Sequence, residues 1–197
     1  MNEADFIVVG GGVAGASVAR ALAPRAKVII LEMESHPGYH TSGRSAALYS
    51  KRYKEPSIRG LAAASGNFLE NPPPGFSQTP LLSPRGLLIF GREDQRAAVD
   101  GQFTSEQIQD GVAEAISIKD ACSLVPCLNP DYVSSAMYVP AAADIDVHAL
   151  HQGFLSLAQR SGAKLICDAP VTALSFAKGK WQAKTPRGDR KSTRLNS

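Results

Sequence analysis

The sequence predicts an α/β protein in which a Rossmann-like βαβ dinucleotide-binding domain is interrupted by part of a β-rich second domain. Three observations predict it. The glycine run Gly10-Gly11-Gly12-Val13-Ala14-Gly15 follows directly on the apolar run Asp5-Phe6-Ile7-Val8-Val9. A second apolar run, Lys27-Val28-Ile29-Ile30-Leu31, ends on the acid Glu32. Beyond that acid the chain enters loops and short apolar blocks, and a long amphipathic helix followed by strands resumes only at Val147.

The first thirty-two residues read as strand, glycine turn, helix and second strand closed by an acid. Gly10 suits the tight exit from the strand, Gly12 lets the backbone approach a pyrophosphate, and Gly15 lets helix and strand pack closely. The helix that begins near Val13 aims free N–H groups and its positive dipole end at the phosphates. Glu32 stands about 20 residues beyond Gly12, where an acid accepts hydrogen bonds from ribose hydroxyls. A 2′-phosphate beside that carboxylate is repelled, which disfavours NADP. The fingerprint alone leaves FAD and NAD open. A plain NAD dehydrogenase continues with further βα units after its ribose acid, whereas this chain enters a glycine- and serine-rich loop, and that favours FAD.

Composition sets outer bounds. A length of 197 residues fits one or two domains. With 44% apolar and 20% charged residues the chain can build a core. A net charge of +3 is too small to argue for a nucleic acid or an anionic membrane. No apolar stretch approaches membrane-spanning length, and with a fingerprint that starts at residue 5 no cleavable leader is expected. Cys122, Cys127 and Cys167 are odd in number and lack metal-ligand spacing, so they read as ordinary thiols of a reducing compartment. His36, His40, His148 and His151 have no cluster partner, and no metal is expected. A soluble, cytoplasmic protein is expected on these grounds.

After Glu32, the segment Ser35-His36-Pro37-Gly38-Tyr39-His40-Thr41-Ser42-Gly43-Arg44-Ser45 is a loop whose small residues allow N–H groups to face a ligand. The plain alternative is a surface turn in which Thr41 or Ser42 caps a helix. Residues 58–69 predict a helix, with Pro56 in its first turn and Pro72-Pro73-Pro74 beyond its end. Leu81-Leu82 and residues 86–91 predict a strand pair turning at Ser83-Pro84-Arg85. Residues 92–110 read as polar helix, 116–118 as a short strand, 119–124 as a helical turn and 135–139 as a strand. Asp144-Ile145-Asp146 caps a helix from Val147 to about Arg160, ended by Gly162. Strands follow at 164–167, 171–174 and 181–184, with a hairpin turn between Phe176 and Trp181.

The final nonapeptide, Asp189-Arg190-Lys191-Ser192-Thr193-Arg194-Leu195-Asn196-Ser197, has no apolar periodicity. It matches the translation of a common sequencing adaptor residue for residue. Residues 189–197 are therefore expected to be a non-native tail outside every element, and the rest to be the front part of a longer protein truncated at its C-terminus.

With those residues placed, the chain resembles the front half of the D-amino-acid oxidase (DAO) superfamily of FAD-dependent oxidoreductases. Within it, the likeness is to bacterial D-amino-acid dehydrogenases of the D-arginine dehydrogenase kind. It rests on residues 4–15, on Glu32 with Pro37-Gly38-Tyr39-His40, on Ser42-Gly43-Arg44-Ser45-Ala46-Ala47, on Asn71-Pro72-Pro73, on residues 80–85, and on Ala143-Asp144-Ile145-Asp146 with Ala149-Leu150-His151-Gln152-Gly153. It runs from about residue 4 to residue 184. The resemblance implies an FAD-binding βαβ region and flavin loop over 4–80, part of a substrate domain over 81–140, and a return to the FAD domain over 141–184.

It further implies that Gly10, Gly12, Ala14 and Gly15 hold the FAD pyrophosphate, and that Glu32, with Met33 beside it, holds the adenosine ribose. Thr41, Ser42, Gly43, Arg44, Ser45, Ala46, Ala47 and Leu48 would pass along the flavin, and the backbone of Val171 would touch the adenine end. Tyr53 matches an active-site tyrosine on the substrate side; read without the resemblance it is a half-buried packing tyrosine. The implied reaction oxidises the C–N bond of a D-amino acid or related amine by hydride transfer to the flavin. The imine formed then hydrolyses. The substrate is thus a small molecule, and the electron acceptor stays open.

Two positions depart from the arginine-oxidising relative. Leu48 stands where it has a substrate-binding histidine, and Leu87 where it has a glutamate that pairs with a cationic side chain. A leucine cannot neutralise a buried guanidinium, so a smaller or more apolar amino acid or amine is expected. Arg44 is assigned to ordering its loop and Arg52 to the solvent. Two alternatives stand beside this reading. One is another FAD or NAD oxidoreductase that shares only the Rossmann front. The other is a non-catalytic nucleotide-binding fragment, and the 197-residue chain by itself is expected to be inactive.

Overall fold

The structure is a computed structural model that describes residues 3–53 and 55–196. The chain forms two compact units, Met1–Ala46 with Pro73–Leu81 and Asp146–Ser197 in the first, and Ala47–Pro72 with Leu82–Ile145 in the second.

The first unit begins with β1 (Glu3–Val9), α1 (Val13–Leu22) and β2 (Val28–Leu31). β1 and β2 pair in parallel, with Ile7 opposite Ile29 and Val8 opposite Ile30. Side chains alternate across a sheet, and the two faces sort accordingly. Val8, Val28 and Ile30 pack with Ala16 and Ala19 of α1. Ile7, Ile29 and Leu31 pack on the opposite face with Ala169 and Ala183. All four residues of β2 are buried, as in a parallel strand covered on both faces. Each large apolar side chain buried in this way contributes about 1.5–3 kcal/mol.

The second unit opens with β3 (Leu48–Tyr49) and α2 (Pro56–Glu70). Pro56 sits in the first turn, and the Glu55 carboxylate accepts the Ile58 N–H at 2.8 Å as N-cap. Then come β4 (Leu82–Pro84), β5 (Leu87–Gly91), α3 (Arg96–Asp100), α4 (Ser105–Gln109), β6 (Glu114–Ala115), α5 (Ile118–Leu124), β7 (Ser135–Val139) and β8 (Ala143–Ile145). They form two three-stranded sheets, ordered β3-β8-β4 and β5-β7-β6.

The first unit resumes with α6 (Val147–Arg160), capped by the Asp146 carboxylate on the Ala149 N–H at 2.8 Å. Leu155 and Ala158 of α6 close over Ala16 and Ala19. β9 (Lys164–Ile166), β10 (Ala173–Ala177), β11 (Lys180–Lys184) and β12 (Arg190–Asn196) complete a six-stranded sheet ordered β10-β11-β12-β1-β2-β9.

The α/β class and the interrupted βαβ order agree with the sequence reading. Five local expectations are corrected. β4 and β5 do not pair with each other; they lie in different sheets. The Arg85 and Gly86 N–H groups donate instead to the Ala142 carbonyl, and Gly86 takes a positive φ of 73°, which turns the chain out of one sheet and into the other. Residues 92–110 are not one helix. A short 3-10 turn and α3 end at Gly101, and Thr104 caps α4 separately through the Gln107 N–H. The short strand lies at Glu114–Ala115 rather than 116–118, because Ser117 caps α5 by accepting the Asp120 N–H. Asp144 is a strand residue paired with Arg85 at 2.7 Å, which leaves the capping to Asp146. Val171 lies before β10, not within it.

The terminal segment is corrected as well. Residues 190–196 form β12 in the interior of the sheet, parallel to β1 and antiparallel to β11. Ser197 lies outside the described residues. A strand needs only extended backbone to satisfy the ladders of its neighbours, and β1 and β11 each present one. Ser192 is small enough to be buried there, and Leu195 joins the cluster of Ile7 and Leu31.

Small residues line the α1–α6 seam, where Ala16, Ala19 and Ala158 are all fully buried. Ala19→Leu forces extra methylenes into that seam and is expected to cost about 1–3 kcal/mol, read as a lower midpoint in urea unfolding. An unchanged midpoint would show that the seam is loose.

Candidate functional site

The glycine turn is the most tightly specified part of the first unit. Gly10 leaves β1 with φ +96°, a left-handed conformation that side chains resist. A Cβ on Gly15 would collide with the Gly10 carbonyl oxygen and press on Val8 Cγ1 at 3.1 Å. Helix and strand meet there at backbone distance. Gly12, the N-cap of α1, has no side chain to cap the helix. The Val13 N–H donates instead to Ser42 Oγ at 3.0 Å, and Ser42 Oγ is also the nearest atom to a Cβ built on Gly12, at 3.1 Å. Ala14 is exposed one residue further on.

Glu32, at the end of β2, is buried. Its Oε2 accepts the Gly11 N–H at 2.7 Å and its Oε1 the Glu34 N–H at 3.0 Å. The main chain of Glu32 is held too, its N–H by the Ile166 carbonyl and its carbonyl by the Ala169 N–H. An ionised carboxylate has about four acceptor positions, so these two bonds leave capacity for hydroxyl donors. Met33 beside it is exposed.

Residues 35–44 run as a chain of turns, as the sequence reading expected of a loop. Gly38 takes φ +81°, and a Cβ on Gly43 would stand 2.5 Å from the Gly38 carbonyl oxygen, so the loop folds back on itself. The Arg44 guanidinium lies 4.9 Å over the Tyr39 ring, and the Arg44 main-chain N–H donates to the His40 carbonyl, both within the loop. Thr41, Gly43, Arg44, Ser45 and Ala46 are exposed. A cavity of about 350 Å³ lies between this loop and the start of α6, bordered by Gly38, Ser42, Ser45, His148 and His151.

The structure thus brings Gly10, Gly12, Gly15, Glu32 and Ser42 together at the N-terminus of α1. Val171 packs against the Ile7–Leu31 cluster of the same unit. Ala47, Leu48 and Tyr53 belong to the second unit. Leu48 and Leu87 pack against one cluster there, formed by Val99, Phe103, Ala113, Met137, Val139 and Ala142. Tyr53 is 39% exposed, and its carbonyl accepts from Gln107 Nε2 at 3.4 Å.

Two residues of this region escaped the sequence reading. Gly11 is one: a Cβ there would meet Pro37 Cβ at 2.9 Å and Glu32 Oε2 at 3.0 Å. Its only signal was a third consecutive glycine where the turn requires two. His151 is the other, buried in α6 with Nε2 2.6 Å from the Gly11 carbonyl oxygen. No spacing rule reaches a partner that far along the chain. Among the described residues no group of three or more His, Cys, Asp or Glu side chains could hold a metal ion.

Comparison with known proteins agrees with this geometry. The DAO family model, FAD dependent oxidoreductase, matches residues 5–195. The chain belongs to that family. Its cofactor is accordingly FAD. Human mitochondrial dimethylglycine dehydrogenase is 25% identical over 98% of this chain and 23% of its own length. The fold is that of glycine oxidase from Geobacillus kaustophilus, with a TM-score of 0.85, 20% identity, and coverage of 99% of this chain and 55% of that one. L-alpha-glycerophosphate oxidase from Mycoplasma pneumoniae, whose structure has FAD bound, superposes with a TM-score of 0.82 at 18% identity over 99% of this chain and 53% of that one. The chain therefore spans about half the length of these solved structures and about a quarter of the dehydrogenase.

The residues present fit FAD. A Cβ on Gly12 meets only a hydroxyl, which leaves that side of the turn accessible to a phosphate. The helix behind it contributes free N–H groups and a favourable dipole. Glu32 keeps acceptor capacity for a ribose diol.

Two measurements follow. Gly15→Ala is expected to displace α1 from β1 and cost about 1–3 kcal/mol, with FAD affinity falling alongside the urea midpoint; a variant as stable as the parent would show that α1 can shift freely. The second concerns Cys167. Burial pushes its thiol above the ordinary range, and the Glu32 and Asp168 carboxylates push the same way against the pull of Arg187. A raised thiol pKa leaves less thiolate at a given pH. Iodoacetamide near neutral pH should therefore alkylate the exposed Cys127 well before Cys167, as read by peptide mass spectrometry. Equal rates would contradict the placement of Cys167.

Proposed function

We propose that the protein containing this chain is an FAD-dependent oxidoreductase that oxidises the C–N bond of an amino acid or related amine. The observation that carries the cofactor side is the turn at the N-terminus of α1, where the approach over Gly12 meets no group but the Ser42 hydroxyl. Gly10, Gly12, Ala14 and Gly15 hold the pyrophosphate, Glu32 and Met33 the adenosine ribose, and Val171 the adenine end. Residues 41–48 follow the flavin. The first unit is the FAD domain, and the second carries the substrate side, with Tyr53 facing it.

Bound FAD supplies a hydride acceptor. The protein orients the substrate carbon toward it and excludes water. The amine substrate class is supported by the family and by proteins similar to this chain, dimethylglycine dehydrogenase and glycine oxidase among them. The D-amino-acid assignment rests on the sequence resemblance.

An apolar substrate is supported by Leu48 and Leu87. Both pack against one hydrophobic cluster, and neither side chain brings a charge of its own. A cationic side chain placed there would lose its hydration without gaining a partner.

The test is reduction of the bound flavin, followed as loss of its visible absorbance under anaerobic conditions, with a panel of amino acids and N-methylated amines. Apolar and small substrates should reduce it faster than arginine or lysine. Leu87→Glu should move the preference toward cationic substrates by about tenfold or more, the effect of one desolvated charge pair. A protein that binds FAD yet is reduced by none of these compounds would overturn the amine assignment and leave the cofactor assignment standing.

A further inference from the structure

We infer that His151 is a positioning residue for the dinucleotide, acting through the Gly11–Gly12 peptide; the inference rests on the FAD reading of the α1 turn. His151 is buried, and its Nε2 lies 2.6 Å from the Gly11 carbonyl oxygen. A carbonyl only accepts, so Nε2 carries a proton and donates it. In a planar trans peptide the C=O and the following N–H point in opposite directions. Holding the Gly11 carbonyl toward α6 therefore turns the Gly12 N–H to the opposite side, away from α6.

The other side of Gly11 is fixed as well, by the Glu32 carboxylate on its N–H at 2.7 Å. Two buried polar side chains thus grip the one residue between the turn glycine and the N-cap. Without them a glycine backbone explores both signs of φ, and a donor aimed at a phosphate would have to be ordered on binding. His151 also carries the flavin loop. Gly38 has no Cβ, and one built there would stand 2.8 Å from His151 Cε1 and 3.0 Å from Nδ1, so the loop backbone lies directly on the imidazole. One ring therefore sets the phosphate turn and the loop that lends Ser42 to Val13.

The experiment measures FAD and adenosine affinity for the full-length protein containing this chain and its His151→Leu and His151→Gln variants, using flavin fluorescence for FAD and ligand-observed NMR for adenosine. His151→Leu should weaken FAD by about tenfold or more, the worth of one buried hydrogen bond, with adenosine affinity unchanged because it has no phosphate. His151→Gln places an amide N–H near the Nε2 position and should recover most of the loss. Equal FAD affinity in His151→Leu, an equal fall for adenosine, or a glutamine variant no better than leucine would each overturn the inference. A full-length parent protein that binds no FAD would overturn the cofactor reading and this inference with it. Should His151→Leu fail to fold, nitrogen-15 NMR of the parent decides. A protected Nε2–H resonance supports the clamp, and an unprotonated Nε2 refutes it.

Discussion

The first unit depends on one buried carboxylate. Glu32 ends β2, yet its side chain holds the N–H of Gly11 in the turn after β1, and its main chain pairs with Ile166 and Ala169 of the segment that follows α6. A charged group is retained in such a place only when donors surround it, and charge-assisted bonds of this kind are about twice as strong as neutral ones. Three pieces of chain converge on a single residue. The end of β2, the glycine turn and the chain after β9 are all tied to it.

Much of this was legible in the sequence because it is local. The βαβ unit is set by alternation and by glycines whose reasons are steric, and Gly10 and Gly15 show those reasons in the positive φ of the first and the backbone approach of the second. Asp146 and Pro56 announced their helices for equally local reasons. What was not legible depended on distant partners. The separation of β4 from β5 is decided by the Ala142 carbonyl, which takes both N–H groups of the supposed hairpin turn. β12 is decided by two neighbouring strands that accept any extended backbone, so a segment without apolar pattern becomes an interior strand. His151 was read as a histidine without a partner because its partner is a main-chain carbonyl, to which sequence motifs are blind.

The second unit shows how a long insertion is tolerated within a dinucleotide fold. The chain first enters it at Ala47, returns to the first unit over Pro73–Leu81, and leaves it for the last time at Ile145, whose N–H donates to the Ala47 carbonyl at 3.0 Å. β3 and β8 continue that pairing, with Leu48 opposite Asp144 and Tyr49 opposite Ala143. Entry and exit are thus tied together by a short ladder. A loop whose ends are already held together adds little closure entropy to the fold it interrupts, and its cost grows only slowly with length. The insert can therefore carry its own apolar cluster, with Leu48 and Leu87 against it.

The same topology bears on how the glycine turn is given one conformation. A glycine-rich turn gains close approach at the expense of definition, since residues without side chains have the most conformational freedom to lose. Here that freedom is removed by groups borrowed from elsewhere, Glu32 on one side of Gly11 and His151 on the other. Glu32 is near in sequence and belongs to the fingerprint. His151 arrives only after the whole insert has been traversed, on the helix whose Leu155 and Ala158 also seal α1 against the sheet. The fingerprint of the first thirty-two residues is therefore not self-sufficient. Its glycines permit the turn, and a helix that folds onto it from beyond the insertion fixes which way the turn faces.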